Sequence, residues 1–388
     1  MRKLMIFPLL LTLCCGMLAA CQGTPSDINT TDTKETTTMA ETQEMTTPEQ
    51  TTEPQSIDPA TLSLTTYTLP QDIAHFKQHG RLIPLSDGLA CDHTMSGIEF
   101  AGVMYGEVKL TLSVTADTYF TVFIDGERVE NRFAATTDTT ELVIANFDTA
   151  EVHNVRIVKQ TEPQFSLCTL KSVTLTGELG DAPADKPIYI EFLGDSITCG
   201  YGNLGDHTSQ NPGTALWEDG TQAFAGATAL ALDADCSIIS CSGIGANKGY
   251  PTFDMQQYYE KASYYRDQTE DHVFGRVPDV VVINLGTNDA GMGATEQGFQ
   301  DSVRNLITLI RTVYGKDVPI VWVHNMMGEC RFAWTETVLD ELGGKSAGIY
   351  VLRASANHEG GNGHPTLAHH AAVAKRLTKE IQKLLQDD

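Results

Sequence analysis

The chain has 388 residues, of which 41% are hydrophobic, and its 26 basic and 50 acidic side chains give a formal net charge of −24. This length accommodates two ordinary domains together with non-globular sequence. The acidic balance excludes the basic patches that bind nucleic acids and anionic membrane surfaces, so neither is an expected partner.

The first 20 residues have the pattern of an export signal. Arg2 and Lys3 precede a short apolar run at residues 4–13, which is too short to span a bilayer as a mature helix. The sequence Leu-Ala-Ala-Cys at residues 18–21 resembles a bacterial lipoprotein cleavage site. The resemblance implies a lipid on Cys21 that holds the mature protein on the outside of the cell membrane. The alternative is an ordinary secretory signal in which Cys21 is incidental.

Residues 21–56 are dominated by Thr, Glu and Pro and contain almost no large apolar side chains. Such a segment buries too little surface to offset the entropy of ordering it. We therefore predict a solvated, extended tether between the anchor and the folded domains.

Residues 57–180 have the pattern of an all-β domain. Polar and apolar side chains alternate at residues 107–114, and the apolar run at 119–124 is followed by Asp125-Gly126, a hairpin-turn signal. Further strands are predicted at residues 141–145, 152–158 and 168–176. Short strands separated by turns favour a β-sandwich of jelly-roll type, which ends at a Pro/Asp-rich linker before residue 186.

From residue 186 to 388 the pattern alternates strand with helix. Buried strands are predicted at residues 187–193, 237–242, 279–285, 319–324 and 348–353. The last helix is predicted to have Pro365 in its first turn, with one apolar face formed by Val373, Leu377, Ile381 and Leu384. The prediction is a flavodoxin-like, doubly wound α/β domain with a five-stranded parallel sheet.

Six cysteines lie in these two predicted domains, at positions 91, 168, 199, 236, 241 and 330. Their number permits disulfides, but we expect free and mostly buried thiols, with a Cys236–Cys241 pair as the alternative. Neither the cysteines nor the histidines show metal-ligand spacing, so no metal or other cofactor is expected.

Chemically distinctive residues follow the predicted strands. The first strand runs into Gly-Asp-Ser at residues 194–196, the second ends at Ser242-Gly243, the third ends at Gly-Thr-Asn-Asp at 286–289, and Gly-His-Pro at 363–365 precedes the last helix. Because ligands bind beyond the carboxyl ends of parallel strands, we expect these segments to converge on one crevice. A lone Ser196 would indicate a helix N-cap, whereas the four segments together favour a catalytic site.

Ser196, Gly243, Asn288 and His364 match, in order, the four residues that name the SGNH (GDSL-type) hydrolase superfamily. The string at residues 192–202, together with the β domain before it, is similar to carbohydrate esterase family 2, whose members deacetylate plant polysaccharides. The resemblance implies Ser196 as nucleophile and His364 as its base. It also implies an oxyanion hole formed by the Ser196 and Gly243 N–H groups and the Asn288 amide.

This chemistry has an independent physical basis. A serine hydroxyl is a poor nucleophile until a base takes its proton, and histidine has the pKa for that task near neutrality. His364 is expected to withdraw the proton from Ser196 and to return one to the departing sugar hydroxyl.

The sequence departs from the superfamily pattern at Gly361, where many members have an aspartate that orients the histidine. Some family 2 relatives use a Ser–His dyad in which a backbone carbonyl orients the ring, and we predict the same arrangement here. The alternatives are that Glu359 or Asn362 is the orienter, or that the enzyme is degenerate and slow.

The remaining residues have simpler interpretations. Asp195 is expected to bond local backbone amides and Asp289 to form a turn. Tyr201 and Trp334 are predicted at the rim of the substrate site, while Trp322 is predicted in the core.

The leading hypothesis is therefore a monomeric serine esterase that removes O-acetyl groups from xylan, glucomannan or a similar polysaccharide. Alternatives are an esterase for small or lipid esters, an esterase for acetylated peptidoglycan, and a glycan-binding lipoprotein whose active site is retired.

Overall fold

The computed structural model describes residues 57–211, 213–266 and 270–386. The predicted signal, Cys21 and the tether lie outside the described residues. No helix in the described part of the chain is long and apolar enough to cross a bilayer.

The first half of the described chain forms an antiparallel sheet. Its ten strands are β1 (Leu64–Thr68), β2 (Lys77–His79), β3 (Ile83–Leu85), β4 (Gly88–Ala90), β5 (Gly97–Val114), β6 (Thr118–Ile124), β7 (Glu127–Arg128), β8 (Phe133–Ala135), β9 (Glu141–Lys159) and β10 (Cys168–Leu179). The main path is β3-β4-β10-β5-β9-β6-β7, with β1 on β10, β2 on β5 and β8 on β6.

The sheet is held together by two long strands. The segments 141–145 and 152–158, predicted as separate strands, belong to the single strand β9, which pairs with β5 along most of its length. Register shifts after Met104 and Val108 let these strands bend without losing their pairing. The sheet thereby encloses one apolar core, which includes Phe100, Leu110 and Phe120. An antiparallel β domain at this place was predicted and is confirmed.

The predicted hairpin turn lies between β6 and β7. Asp125 and Gly126 have φ values of 52° and 86°, and Ile124 pairs with Glu127 across the turn. Positive φ at both central residues defines the turn type that matches strand twist, so the Asp-Gly signal is confirmed.

The second half of the described chain forms a five-stranded parallel sheet of order β12-β11-β13-β14-β15. The strands are β11 (Tyr189–Gly194), β12 (Asp235–Ser240), β13 (Val280–Asn284), β14 (Ile320–His324) and β15 (Ile349–Arg353). Each predicted strand agrees with an observed one to within two residues at either end. Because the order reverses beside β11, the sheet has the flavodoxin-like, doubly wound topology that was predicted.

Seven α-helices accompany this sheet in the described part of the chain: α1 (Ser196–Cys199), α2 (Phe224–Ala231), α3 (Met255–Tyr259), α4 (Thr287–Gly291), α5 (Glu296–Tyr314), α6 (Phe332–Glu341) and α7 (Leu367–Leu384). Trp322 is fully buried in the sheet, as predicted. The last helix begins at Leu367, two residues later than a proline at its first position would require. Pro365 precedes the N-cap Thr366, whose hydroxyl accepts the His369 N–H.

The two sheets meet across a polar interface. Arg128 of β7 contacts Asp219 at 2.7 Å, and Lys77 of β2 contacts Asp235 at 2.6 Å. In the opposite direction, the loop residue Arg266 contacts Asp92 at 2.6 Å. Each of these carboxylates is largely buried, so the interface selects one relative placement of its partners.

The six described cysteines are free, and five of them are buried. This agrees with the expectation of unpaired thiols and excludes the Cys236–Cys241 alternative in this structure.

Candidate active site

Ser196 stands at the carboxyl edge of the parallel sheet. Strand β11 ends at Gly194, and helix α1 begins at Ser196. Asp195 caps this helix because its Oδ1 atom accepts the Ile197 N–H at 3.0 Å. The expected bonding of Asp195 to a local backbone amide is therefore confirmed. Burial raises the pKa of Asp195 to about 7.

His364 lies beside this serine. Its Nε2 atom is 2.8 Å from Ser196 Oγ, and its Nδ1 atom is 3.3 Å from the carbonyl oxygen of Asn362. A ring nitrogen that faces a carbonyl carries the proton, so this contact favours the tautomer whose Nε2 accepts the serine proton. Burial lowers the pKa of His364 to about 4, which keeps the ring neutral near neutral pH.

The histidine loop is shaped by backbone conformation. Asn362 has φ 54°, in the left-handed region, and this conformation directs its carbonyl toward the ring. Gly361 donates its N–H to the Gly202 carbonyl at 2.9 Å. A Cβ on Gly202 would lie 2.4 Å from the Gly361 oxygen, and Gly202 itself has φ 68°. A glycine at position 202 therefore permits the histidine loop to approach the serine loop.

The side chains considered as alternative orienters do not bond the ring. Glu359 Oε2 accepts from Asn357 Nδ2 at 3.2 Å, and Asn362 Nδ2 faces the Tyr201 hydroxyl at 3.4 Å. Asn362 contacts His364 through its main chain alone.

The segment after β12 brings backbone donors to the serine. Gly243 has φ 83°, and its carbonyl accepts the Tyr250 N–H at 2.9 Å. In the residues that the structure describes, neither the Ser196 N–H nor the Gly243 N–H has a protein partner. Both groups remain able to donate to a negatively charged oxygen.

Asp289 was predicted to form a turn, but it also binds the segment after β12 through three hydrogen bonds. Its carboxylate accepts the N–H groups of Ala246, Asn247 and Lys248 at 2.9, 2.7 and 2.8 Å. The residue after the third strand thus holds the loop that follows the second.

Asn288 lies at the same edge, but its amide is already engaged. Nδ2 donates to the Ile244 carbonyl at 2.8 Å and to Asp195 Oδ2 at 3.2 Å. A role for Asn288 as an oxyanion donor requires one of these bonds to be released or shared, and it stays a prediction.

These groups open into a cavity of about 790 Å³. The cavity is lined by Gln164, Ser196, Tyr201, Ser242, Gly243, Tyr250, Pro251, Thr252, Phe253, Tyr265, Thr287, Asn288, Met327, Asn362 and His364. Ser196, Gly243, Asn288 and His364, which the sequence places far apart, therefore share one cavity.

The two predicted rim residues have different positions. Tyr201 lines the cavity, and its ring lies 4.6 Å from that of His364, centroid to centroid. Trp334 is absent from the lining of this cavity and packs on Phe299 of helix α5, with the Arg331 guanidinium over its ring. The Trp334 ring is partly buried against the apolar core on this side of the sheet.

The sequence interpretation missed the contribution of the β domain. Gln164, from the segment between β9 and β10, lines the cavity and accepts from the Tyr265 hydroxyl at 3.3 Å. Phe165, the next residue, stacks on Tyr201 with ring centroids 6.0 Å apart. Strand patterning carries no signal for such contacts, because they join residues distant in sequence.

No group of three or more His, Cys, Asp or Glu side chains is placed to hold a metal ion in the described part of the chain.

Comparisons with known proteins agree with both halves of this architecture. Residues 192–384 match the model of the GDSL-like Lipase/Acylhydrolase family, and residues 79–183 match that of the Carbohydrate esterase 2 N-terminal domain. The Cellulase/esterase CelE of Acetivibrio thermocellus is 30% identical over 317 residues, which are 77% of this chain and 38% of CelE. The chain thus spans well under half of that relative.

Two further proteins align with this chain over almost their whole length. An acetylxylan esterase / glucomannan deacetylase of Cellvibrio japonicus is 24% identical over 84% of this chain and 93% of its own. The solved structure of a family two carbohydrate esterase from Clostridium thermocellum in complex with cellohexaose is 27% identical, with a TM-score of 0.74 over 80% of this chain and 99% of that one. The chain therefore combines a GDSL-type (SGNH) hydrolase domain with a carbohydrate esterase 2 N-terminal domain, and its relatives and structural neighbours are family 2 carbohydrate esterases.

Proposed function

We propose that this protein is a serine esterase that removes O-acetyl groups from a polysaccharide such as xylan or glucomannan, using a Ser196–His364 dyad. The observation that carries the proposal is the 2.8 Å contact between His364 Nε2 and Ser196 Oγ inside an open cavity. A hydroxyl in contact with a neutral imidazole is the arrangement that nucleophilic acyl transfer requires.

The first half of the reaction transfers the acetyl group to the enzyme. His364 Nε2 takes the proton as Ser196 Oγ forms a bond to the acetyl carbon, and the carbonyl oxygen becomes an oxyanion. When the tetrahedral intermediate collapses, the bond to the sugar oxygen breaks and that oxygen takes the proton from His364. The Asn362 carbonyl, 3.3 Å from Nδ1, orients the ring and faces its transient positive charge.

The second half returns the enzyme to its starting state. Water replaces the sugar hydroxyl, His364 takes a proton from it, and the resulting bond to the acetyl carbon expels Ser196 Oγ, which regains the proton. Acetate is released. The Ser196 and Gly243 N–H groups stabilise both oxyanions, and loss of one such donor typically slows a reaction about 100- to 1000-fold.

The polysaccharide assignment is supported by the relatives and by the cavity. One relative is named acetylxylan esterase / glucomannan deacetylase, and a structural neighbour holds cellohexaose. The cavity here is open to solvent along one side and combines amide and hydroxyl groups with the rings of Tyr201, Tyr250 and Tyr265. Aromatic faces with adjacent hydrogen-bonding groups suit sugar rings that carry both apolar and hydroxyl surfaces.

The test is release of acetate from acetylated xylan and acetylated glucomannan by the purified protein, beside Ser196→Ala and His364→Ala. We expect release by the wild type and a loss of several orders of magnitude in both variants. If the protein hydrolyses an aryl acetate in a reaction that depends on Ser196 but releases no acetate from either glycan, the mechanism is kept and these polysaccharides are rejected as substrates. Release from acetylated peptidoglycan alone would move the substrate to the cell wall, and failure on every ester would favour the retired, glycan-binding alternative.

We also propose that Cys21 carries a lipid that anchors the protein on the outside of the cell membrane, since residues 18–21 have the lipoprotein pattern. The mature protein is expected to partition into detergent, and Cys21→Ala to release it or leave the signal uncleaved. Correctly processed wild-type protein that stays in the aqueous phase would refute the anchor.

A further inference from the structure

Two glutamates are buried together where the β domain meets the catalytic domain. Glu162 lies in the segment after β9, Glu218 lies in the segment before α2, and both are fully buried. The Glu162 N–H donates to Glu218 Oε1 at 2.6 Å, so the two residues are in direct contact. The reaction proposed above uses neither.

Glu162 also contacts the segment that follows β12 and carries Gly243. Its Oε2 atom accepts the Ser242 N–H at 2.6 Å, directly before Gly243. One carboxyl group of the β domain thus contacts the segment that carries the Gly243 N–H, the predicted oxyanion donor.

The surroundings of the pair account for its charge. The buried Lys159 ammonium donates to the carbonyls of Asp92, Thr161 and Glu162 at 2.9, 2.8 and 3.1 Å. Burial raises the pKa of Glu162 and of Glu218, and the charge of ionised Glu162 raises the pKa of Glu218 further. Two adjacent buried carboxyls favour a single shared proton, which with the lysine leaves this cluster neutral.

The two carboxyl oxygens without a hydrogen-bond partner are consistent with a shared proton. Glu162 Oε1 and Glu218 Oε2 are buried and have no hydrogen-bond partner within the described ranges. A proton on one of them supplies the donor that the other lacks, because buried polar atoms are rarely left unpaired. The other oxygen of Glu162 is then free to hold the Ser242 N–H.

We propose that Glu162 is a positioning residue through which the β domain fixes the Ser242–Gly243 backbone and aims the Gly243 N–H into the oxyanion hole. The proposal rests on the esterase function proposed above. The segment is held on both sides, since Glu162 binds the Ser242 N–H and the Tyr250 N–H binds the Gly243 carbonyl. Fixed neighbours on either side of the Gly243 N–H are what a preorganised donor requires.

Two substitutions at Glu162 distinguish the effect of the position of its side-chain oxygen from the effect of its charge. Glu162→Asp keeps the charge but withdraws the carboxyl from Ser242 by one methylene. Glu162→Gln keeps the length, since its oxygen can accept the Ser242 N–H while its amide donates to Glu218. With an aryl acetate we expect kcat to fall roughly 10- to 100-fold in the aspartate variant and to stay within about five-fold of wild type in the glutamine variant. KM is expected to change by less than about three-fold in both, because the ground-state ester does not bear the oxyanion.

A matched control is available in the β domain. Glu99 is also buried, and its carboxylate accepts from Asn154 and contacts His79, both of which lie in the antiparallel sheet. Glu99→Asp is expected to lower the melting temperature and leave kcat unchanged. All variants are compared as full-length protein, with kcat expressed per site labelled to completion by a fluorophosphonate.

The outcomes are distinguishable. Unchanged kcat in folded Glu162→Asp, or a larger loss in Glu162→Gln than in Glu162→Asp, would overturn the positioning role. If the aspartate variant fails to fold, the glutamine variant decides, and a loss of kcat above about five-fold in that folded protein refutes the proposal. Activity that survives Ser196→Ala would reject the esterase mechanism itself, whatever the Glu162 variants show.

Discussion

At the scale of single residues, the proposed base is held in its neutral form by burial. Burial lowers the pKa of His364 to about 4, and contacts with the Asn362 and Gly361 backbone offset this only in part. A base must be unprotonated to accept a proton, so activity should persist as the pH falls and be lost only as the pH passes through the pKa of the histidine.

We therefore predict that kcat/KM for an aryl acetate stays nearly constant from pH 7 down to about pH 5 and falls below that value. The measurement is a pH profile of kcat/KM, restricted to the pH range in which the protein's circular dichroism is unchanged. An acid limb centred near the ordinary histidine pKa, about 6.5, would contradict the prediction.

Asp289 gives a second prediction at this scale. It is fully buried and accepts three backbone N–H groups, whereas an amide at the same position keeps one accepting oxygen. We expect Asp289→Asn to lower the free energy of unfolding by about 2–4 kcal/mol, because a buried bond to a charged group contributes about 1.5–3 kcal/mol. Urea denaturation measures the change.

Asp206→Asn is the control for this experiment, since Asp206 is exposed and, among the described residues, its hydrogen bonds join it to nearby Thr208 and Ser209. We expect a change of less than about 0.5 kcal/mol there. Equal effects of the two substitutions would show that Asp289 does not hold the loop.

At the scale of elements, the catalytic geometry depends on two loops that touch through glycine. A Cβ at position 202 would meet the Gly361 carbonyl at 2.4 Å and would force the histidine loop away from Ser196. We predict that Gly202→Ala lowers kcat roughly 100-fold, because a displacement of about 1 Å between reacting groups costs that much.

The matched control is Gly126→Ala. Gly126 has φ 86°, close to the 68° of Gly202, but nothing lies within 4 Å of a Cβ built there. Both variants therefore carry similar backbone strain, and only one blocks the loop. Equal kcat in the two variants would refute this account of the loop.

Local patterns account for much of this arrangement. The five parallel strands were predicted because buried strands are continuous apolar runs. The position of Ser196 at the carboxyl edge of the sheet was predicted because polar, chemically distinctive residues follow these strands. The division of β9 into two predicted strands arose because a bulge interrupts the alternation without ending the pairing. Trp334 was predicted at the rim from its place after a strand, which carries no signal for the face of the helix on which the ring lies, and it does not line the cavity.

At the scale of the whole molecule, the catalytic domain depends on its neighbour. Asp219, Asp235 and the segment around Glu218 are buried against charged side chains of the β domain. Removing these partners leaves buried charges uncompensated, which is strongly destabilising. None of these pairings follows from sequence periodicity, since each joins residues more than 50 positions apart.

We predict that residues 186–388 expressed alone do not reach the native state, whereas the two domains expressed together do. The measurement is solubility, near-ultraviolet circular dichroism and fluorophosphonate labelling of both proteins. A soluble fragment with native kcat would show that the β domain is dispensable.

The contact between His364 and the Asn362 carbonyl has a consequence for how this enzyme is studied. A group that belongs to the main chain survives every side-chain replacement, so alanine scanning leaves it in place and mutational screens do not detect it. Its accepting strength can instead be reduced by replacing the peptide bond between Asn362 and Gly363 with an ester, through incorporation of glycolic acid at position 363. The same ester also removes the Gly363 N–H, which donates to the Gly360 carbonyl at 3.2 Å. Turnover by such a depsipeptide would therefore measure the joint contribution of these two main-chain groups, which no codon for a natural amino acid can remove.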